Sequence, residues 1–188
     1  MSEEPFLEWL KLGKIRIENG TIIFLDAHNI LLPVRGLLWL MKILKEKIGE
    51  EECKKILENL GEFQINQALV RYSKILSIEK MEKYKWIKLG VQEIAKILGY
   101  GDFEVEHRLQ EKIVIFKSKN QPIAIEYKLM FGKSEKPIDY YLSGIIKGFC
   151  ISLLNIPLKC VETKCIACGD PYCQFEVFPA EEKKETKT

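Results

Sequence analysis

Four of the six cysteines in this 188-residue chain fall within fourteen residues, at Cys160, Cys165, Cys168 and Cys173. Between the last two lies Gly169-Asp170-Pro171, a tight-turn composition that can fold one strand back on another and bring Cys165 and Cys173 together. Thiolates in such a turn suit a mononuclear zinc ion, which takes about four N, S or O donors in a tetrahedron. Glu162 adds a hard oxygen donor, but it stands three residues before Cys165. In a regular strand that spacing faces the two side chains to opposite sides, unless a bulge re-aims one of them. Three other readings compete. Cys160-x4-Cys165-x2-Cys168 matches the opening of a plant-type iron–sulfur site, though the fourth cysteine lies too near. The Cys165-x2-Cys168 pair has redox spacing, but Gly169 and Pro171 oppose the helix such a pair opens. The cysteines can also be small buried hydrophobes.

The elements that must hold this turn are legible by period. Lys14 to Leu25 alternates around Asn19-Gly20, a strong hairpin signal. Leu37, Leu38, Met41, Leu44 and Ile48 follow helical spacing up to Gly49. A second helix is expected from Glu50 to about Ile75, interrupted at Gly61, and a third from Ile78 to Leu98. Strands are expected at 102–109 and 112–116, joined at Gln110-Glu111. The stretch from Gln121 to Gly132 fits either a short helix or a strand. Asp139 to Leu154 reads as a buried helix with the small residues Ser143, Gly144 and Gly148, and Leu158–Lys164 and 174–178 read as closing strands. The tail from residue 180 is polar and expected to be disordered.

With 47% hydrophobic and 30% charged residues the composition is globular, which excludes wholesale disorder. Twenty-nine basic against 27 acidic residues is too balanced to suggest nucleic-acid binding. No run reaches the roughly 18 apolar residues of a membrane span, and the acidic opening has no secretory pattern, so a cytoplasmic protein with thiols rather than disulfides is expected. No phosphate-binding loop or dinucleotide fingerprint is present, and His28 and His107 have no triad partner recognisable by spacing.

Lys136-Pro-Ile-Asp-Tyr140, Ser143-Gly144, Gly148-Phe149 and the run from Val161 to Val177 together resemble the 4-vinyl reductase domain family. The family includes the sensory domains of aromatic-responsive transcription activators. It is similar in fold to haem nitric-oxide-binding domains and Golgi-transport complex subunits. No repeat and no Gly-, Ser- or Pro-rich linker divides the chain, so one compact α+β domain is expected; the resemblance implies an antiparallel sheet with packed helices, with an N-terminal hairpin and helical dimerisation part (1–100), a core with the zinc site (101–179) and a tail (180–188). It implies a zinc site at Glu162, Cys165 and Cys173, with Asp139 at the position where the sensors carry a cysteine, or with Cys168 as the alternative fourth ligand. It further implies a homodimer and an apolar pocket for an unidentified hydrophobic small molecule. Trp86, Phe116, Phe131, Tyr140, Tyr141 and Phe149 are the expected lining. The expected function is a non-catalytic binding or regulatory module. An enzyme or accessory protein of tetrapyrrole vinyl reduction and a homodimeric scaffold are the alternatives.

Overall fold

A computed structural model describes residues 9–75, 87, 90–108 and 113–180. The chain opens with a small antiparallel sheet of β1 (Ile15–Glu18), β2 (Thr21–Phe24) and β3 (Ala27–Asn29). Asn19 and Gly20 both take positive φ, 50° and 77°, the left-handed pair that matches the twist of a two-residue hairpin. β3 was not foreseen in the sequence. Its turn is Leu25-Asp26, again with φ positive at both residues. Leu25 is held there by burial against Trp9, Ile15, Phe24, Ala68 and Ile94, and its N–H donates to the Lys14 carbonyl at 2.8 Å.

Helix α1 (Val34–Ile48) follows Pro33 and stops at Gly49, whose φ of 83° only glycine adopts cheaply. Helix α2 (Glu50–Ile75) begins with three glutamates, which favour the positive end of the helix dipole. It runs through Gly61 without a break, correcting the expected interruption. Cys53, Leu57, Gly61 and Ala68 form a buried stripe along it. The third expected helix falls largely outside the described residues. What is described is a π-helical turn at Gly90–Ile94 that runs into α3 (Ala95–Ile97).

The strands of the main sheet are β4 (Glu104–Arg108), β5 (Ile113–Ser118), β6 (Leu158–Lys164) and β7 (Cys173–Pro179). They lie in the order β4-β5-β7-β6, every pair antiparallel. The expected Gln110-Glu111 turn lies outside the described residues. The ambiguous stretch is helix α4 (Pro122–Phe131). The buried Gln121 side chain decides it, accepting from the N–H groups of Ile123 and Ala124 at 2.6 and 3.1 Å. Helix α5 (Tyr140–Leu154) is buried on nearly every side between α2 and the sheet. Asp139 caps its start, and Asn155, at φ 57° and ψ 40°, ends it.

The α2–α5 contact explains the small residues of α5. A Cβ on Gly144 would stand 2.0 Å from the Glu58 carbonyl oxygen, and one on Gly61 2.1 Å from that of Tyr141. The two helices therefore meet backbone to backbone. Of the expected disordered tail, Ala180 is tied by its N–H to the Pro157 carbonyl at 3.0 Å, and 181–188 lie outside the described residues.

Candidate metal centre and apolar cavity

The pairing of β6 with β7 slips between Glu162 and Lys164, so one extra residue is accommodated there. Leu158 and Glu162 are buried on the inner side, Thr163 is exposed, and Cys165 is buried again. The irregularity supplies the re-aiming that a regular strand denies: Glu162 and Cys165 point the same way. After Cys165 a 3₁₀ turn (Ile166–Cys168) and Gly169, at φ 97°, reverse the chain into β7. Asp170 staples the reversal, its carboxylate accepting from the Cys165 N–H at 2.8 Å. The Ile166 N–H donates to Cys173 Sγ at 3.3 Å.

Donor atoms of Glu162, Cys165 and Cys173 all lie within 4.8 Å of one another, and all three residues are buried. Asp139 arrives from the start of α5. Its Oδ1 caps the helix by accepting from the Leu142 N–H at 3.1 Å, and its own N–H donates to Glu162 Oε2 at 2.9 Å. Each carboxylate therefore has one oxygen committed. The other two, Asp139 Oδ2 and Glu162 Oε1, are buried with no hydrogen-bond partner. Asp139 stands outside the mutual 4.8 Å group, as does Cys168, which is only half-buried.

The electrostatics of the cluster without a cation are unfavourable to charge. Burial, and then the neighbouring Asp139 and Cys165, push Glu162 up to about 10. Burial pushes Asp139 up to about 7 against the pull of the Leu142 N–H. Cys165 is drawn down to about 6 by hydrogen bonding to Cys173, with Glu162 and the backbone at Ala167 and Ile138 adding to it. Cys173 is correspondingly raised, by Cys165 and by burial. Two orphaned carboxylate oxygens beside two buried thiols are a donor set for a borderline-soft divalent ion such as zinc. Tetrahedral zinc with bonds of about 2.0–2.3 Å would set its ligand atoms roughly 3.5 Å apart. Cys160 is not brought to the cluster. Its thiol is pushed well up by burial, with Cys150 and Glu58 adding to the effect. His28 on β3 and His107 on β4 stand apart from it as well.

The same helix α5 walls a second feature. Leu142, Ile145, Ile146 and Phe149, at helical spacing, face Ile65 and Leu69 of α2, the π-helical turn, and Phe103 and Phe116 of the sheet side. Together with Tyr100 they line a partly open apolar cavity of about 60 Å³. An apolar cavity of about 150 Å³ takes a benzene, so a one-ring ligand requires this wall to yield. Gly90 marks where the wall is tightest, since a Cβ there would stand 2.4 Å from Phe149 Cζ.

Of the six aromatic residues expected to line a pocket, Phe116 and Phe149 do. Tyr141 stands one step behind the wall, bonded to Tyr100. Tyr140 is directed elsewhere, its hydroxyl donating to Glu50 at 2.9 Å under the Lys45 ammonium. Phe131 packs edge-on to Tyr127 near Lys42, and Trp86 lies outside the described residues. The wall is chiefly aliphatic, and the 142/145/146/149 stripe on α5 was the signal that could have found it.

Comparison with known proteins agrees with this architecture. The 4-vinyl reductase domain model matches residues 128–179, a span that contains Asp139, Glu162, Cys165, Cys168 and Cys173. No curated protein sequence matches the chain. Among solved structures, the phenol-responsive sensory domain of the transcription activator PoxR, with phenol, is similar at a TM-score of 0.77 and 18% identity, over 98% of this chain and 94% of that one. A trafficking protein particle complex subunit 3 from Naegleria fowleri, covalently bound to palmitic acid, is similar at 0.58 and 14% identity, over 79% and 91%. An H-NOX protein from S. oneidensis is similar at 0.52 and 9% identity, over 95% and 89%. No helix among the described residues is long and apolar enough to cross a membrane. The chain carries a 4-vinyl reductase domain match at residues 128–179, within a fold shared with sensory, trafficking and H-NOX proteins.

Proposed function

We propose that this protein is a non-catalytic sensory or regulatory module that takes a small apolar molecule in the α2–α5 cavity and is braced by a zinc ion. The observation that carries the reading is helix α5, whose N-cap Asp139 stands at the acid–thiol cluster and whose Phe149 walls the cavity. Glu162, Cys165 and Cys173 would hold the metal, with Asp139 completing the set through its orphaned Oδ2. Four protein ligands leave no position for water or substrate, which is the logic of a structural site. A bound ion would take the place of the protons that burial holds on the two carboxylates, and would tie the start of α5 to β6 and β7. The fold shared with a phenol-responsive sensory domain supports the ligand-binding half of the reading.

Self-association belongs to the same proposal. Ile56, Leu60 and Phe63 lie exposed on the outer side of α2, and light scattering of the full chain would measure the dimer.

The direct test is elemental mass spectrometry of protein purified without added metal. About one zinc per chain is expected, lost in Cys165→Ser and in Asp139→Ala but retained in Cys168→Ser. Zinc absent from the unaltered chain refutes the brace. Zinc kept in Asp139→Ala but lost in Cys168→Ser moves the fourth ligand to Cys168.

A further inference from the structure

Three successive residues at the start of α5 are tied to two different parts of the molecule. The Ile138 backbone hydrogen-bonds Cys165, and the Asp139 N–H donates to Glu162 Oε2 at 2.9 Å, so both hold to the acid–thiol cluster. Tyr140 turns the other way. Its hydroxyl donates to Glu50 Oε1 at 2.9 Å. Glu50 is the first residue of α2, directly after Gly49, and so marks the elbow between α1 and α2. Lys45, from the last turn of α1, and Lys136, from the loop before α5, each bring an ammonium to 3.8 Å from that carboxylate. The Lys45 ammonium also stands over the Tyr140 ring, 5.1 Å from its centroid. The chain between the two anchorages is short and stiff. Asp139, at φ −90° and ψ 66°, is the middle of an inverse γ-turn closed by the Tyr140 N–H on the Ile138 carbonyl at 3.0 Å.

We propose that this junction reports the state of the metal centre to the α1–α2 elbow. A filled centre fixes Asp139, Asp139 fixes Tyr140, and Tyr140 holds Glu50 and the first turn of α2 against opening. The coupling presupposes the zinc site proposed above, with Asp139 as its fourth ligand. Asp139 stands outside the mutual group formed by Glu162, Cys165 and Cys173, so completing the set changes where its carboxylate stands relative to β6 and β7. A γ-turn has no slack to absorb that change, and the next side chain carries it to Glu50. Tyr140 and Glu50 act through Asp139 and are positioning residues. A hydrogen bond to a charged acceptor is among the stronger ones, and holding it closed shifts a local opening equilibrium by roughly tenfold.

The test is amide hydrogen exchange of the full chain, read by NMR on metal-free protein and on protein saturated with zinc. The Gly49 N–H, bonded to the Lys45 carbonyl at 3.1 Å, and the Cys53 N–H, bonded to the Gly49 carbonyl at 3.1 Å, report the elbow. The Gly13 and Gly99 N–H groups, bonded to the Leu10 and Lys96 carbonyls, report turns elsewhere. Zinc is expected to slow exchange at Gly49 and Cys53 by roughly tenfold, and at Gly13 and Gly99 by less than about twofold. Tyr140→Phe keeps the ring and removes only the hydroxyl, and Glu50→Ala removes its acceptor. Each variant, saturated with zinc and compared with its own metal-free form, should respond by less than about twofold at the elbow. A full response in Tyr140→Phe overturns the junction as the carrier. Equal slowing at all of these amides, or none at the elbow of the zinc-loaded parent, overturns the coupling and leaves the zinc site standing. A parent that takes up no zinc overturns the site itself, and the coupling with it.

Discussion

Adding one methyl group at Gly144 should cost more than almost any other alanine substitution in this protein. The new Cβ would stand 2.0 Å from the Glu58 carbonyl oxygen, 2.7 Å from its carbon and 2.8 Å from its Cα. All three are backbone atoms of α2, so no side chain can swing away to make room. Ordinary contact begins at 3.4 Å, which means the two helices must part by about 1.4 Å. That movement loosens the most extensive interhelical contact among the described residues. Overpacking typically costs about 1–3 kcal/mol, and a rigid obstacle places Gly144→Ala at about 3 kcal/mol or above. For a chain of this size that lowers Tm by roughly 6–12 °C. Gly36→Ala is the matched control. It lies in α1 with its nearest neighbour, the Leu32 side chain, 3.5 Å away. There alanine should stabilise by about 0.5–1 kcal/mol through helix propensity alone. The assay is urea unfolding of both variants beside the unaltered chain. A Gly144→Ala variant within about 0.5 kcal/mol of the parent would refute the backbone-contact account of the α2–α5 interface. A destabilised Gly36→Ala would show that glycine is needed for another reason.

Two further outcomes are expected. In metal-free protein, Asp139 and Glu162 hold their protons in the folded state far above the pH at which the unfolded chain loses them. Folding therefore retains protons, and stability should fall as pH rises from about 4.5 to about 6, by about 1.4 kcal/mol per pH unit for each proton retained. Asp139→Asn should flatten that slope, and a flat profile in the parent would refute the burial argument. Gln121→Ala should cost about 1–2 kcal/mol in unfolding experiments, because the buried amide oxygen caps two N–H groups of α4 and water cannot replace it. A neutral result would mean that α4 is held by packing alone.

What the sequence discloses depends on whether the deciding partner is local. The Asn19-Gly20 hairpin, the stop of α1 at Gly49 and the buried character of α5 are written in neighbouring residues. The second hairpin turn is not, because Leu25 adopts its left-handed φ for the sake of Trp9, Ala68 and Ile94, which are remote in sequence. Gly61 looks like a helix breaker when read alone. Its partner, the Tyr141 carbonyl, is eighty residues away, so a close approach and a break are indistinguishable in one dimension. The acid–thiol cluster was legible in residue type and spacing through its family resemblance. Whether Glu162 faced inward turned on a slip in the β6–β7 register that no spacing rule locates. The lining of the cavity is less legible in the sequence, for a physical reason. Tyrosines draw attention as pocket formers, but a buried hydroxyl must find a partner. Tyr140 follows Glu50 to the edge of the core, and aliphatic side chains are left to make the wall.

The irregularity in β6 also sets which changes of length this protein can survive. Thr163 is exposed, and its hydroxyl donates to Glu176 at 3.1 Å at the surface, so many residue types would serve in its place. Removing it outright is also mild. Glu162 and Cys165 would then stand two positions apart, and a strict two-residue repeat faces such a pair to one side. The same deletion inside the regular part of β6, between Leu158 and Glu162, is a different event. It turns Leu158 and Glu162 to opposite faces, because a one-residue slip there has no slack to absorb it. In a lineage of such chains, gaps should therefore collect at position 163 and be purged from the four residues before it. The strand carries a single joint at which its length can be edited without disturbing what it holds.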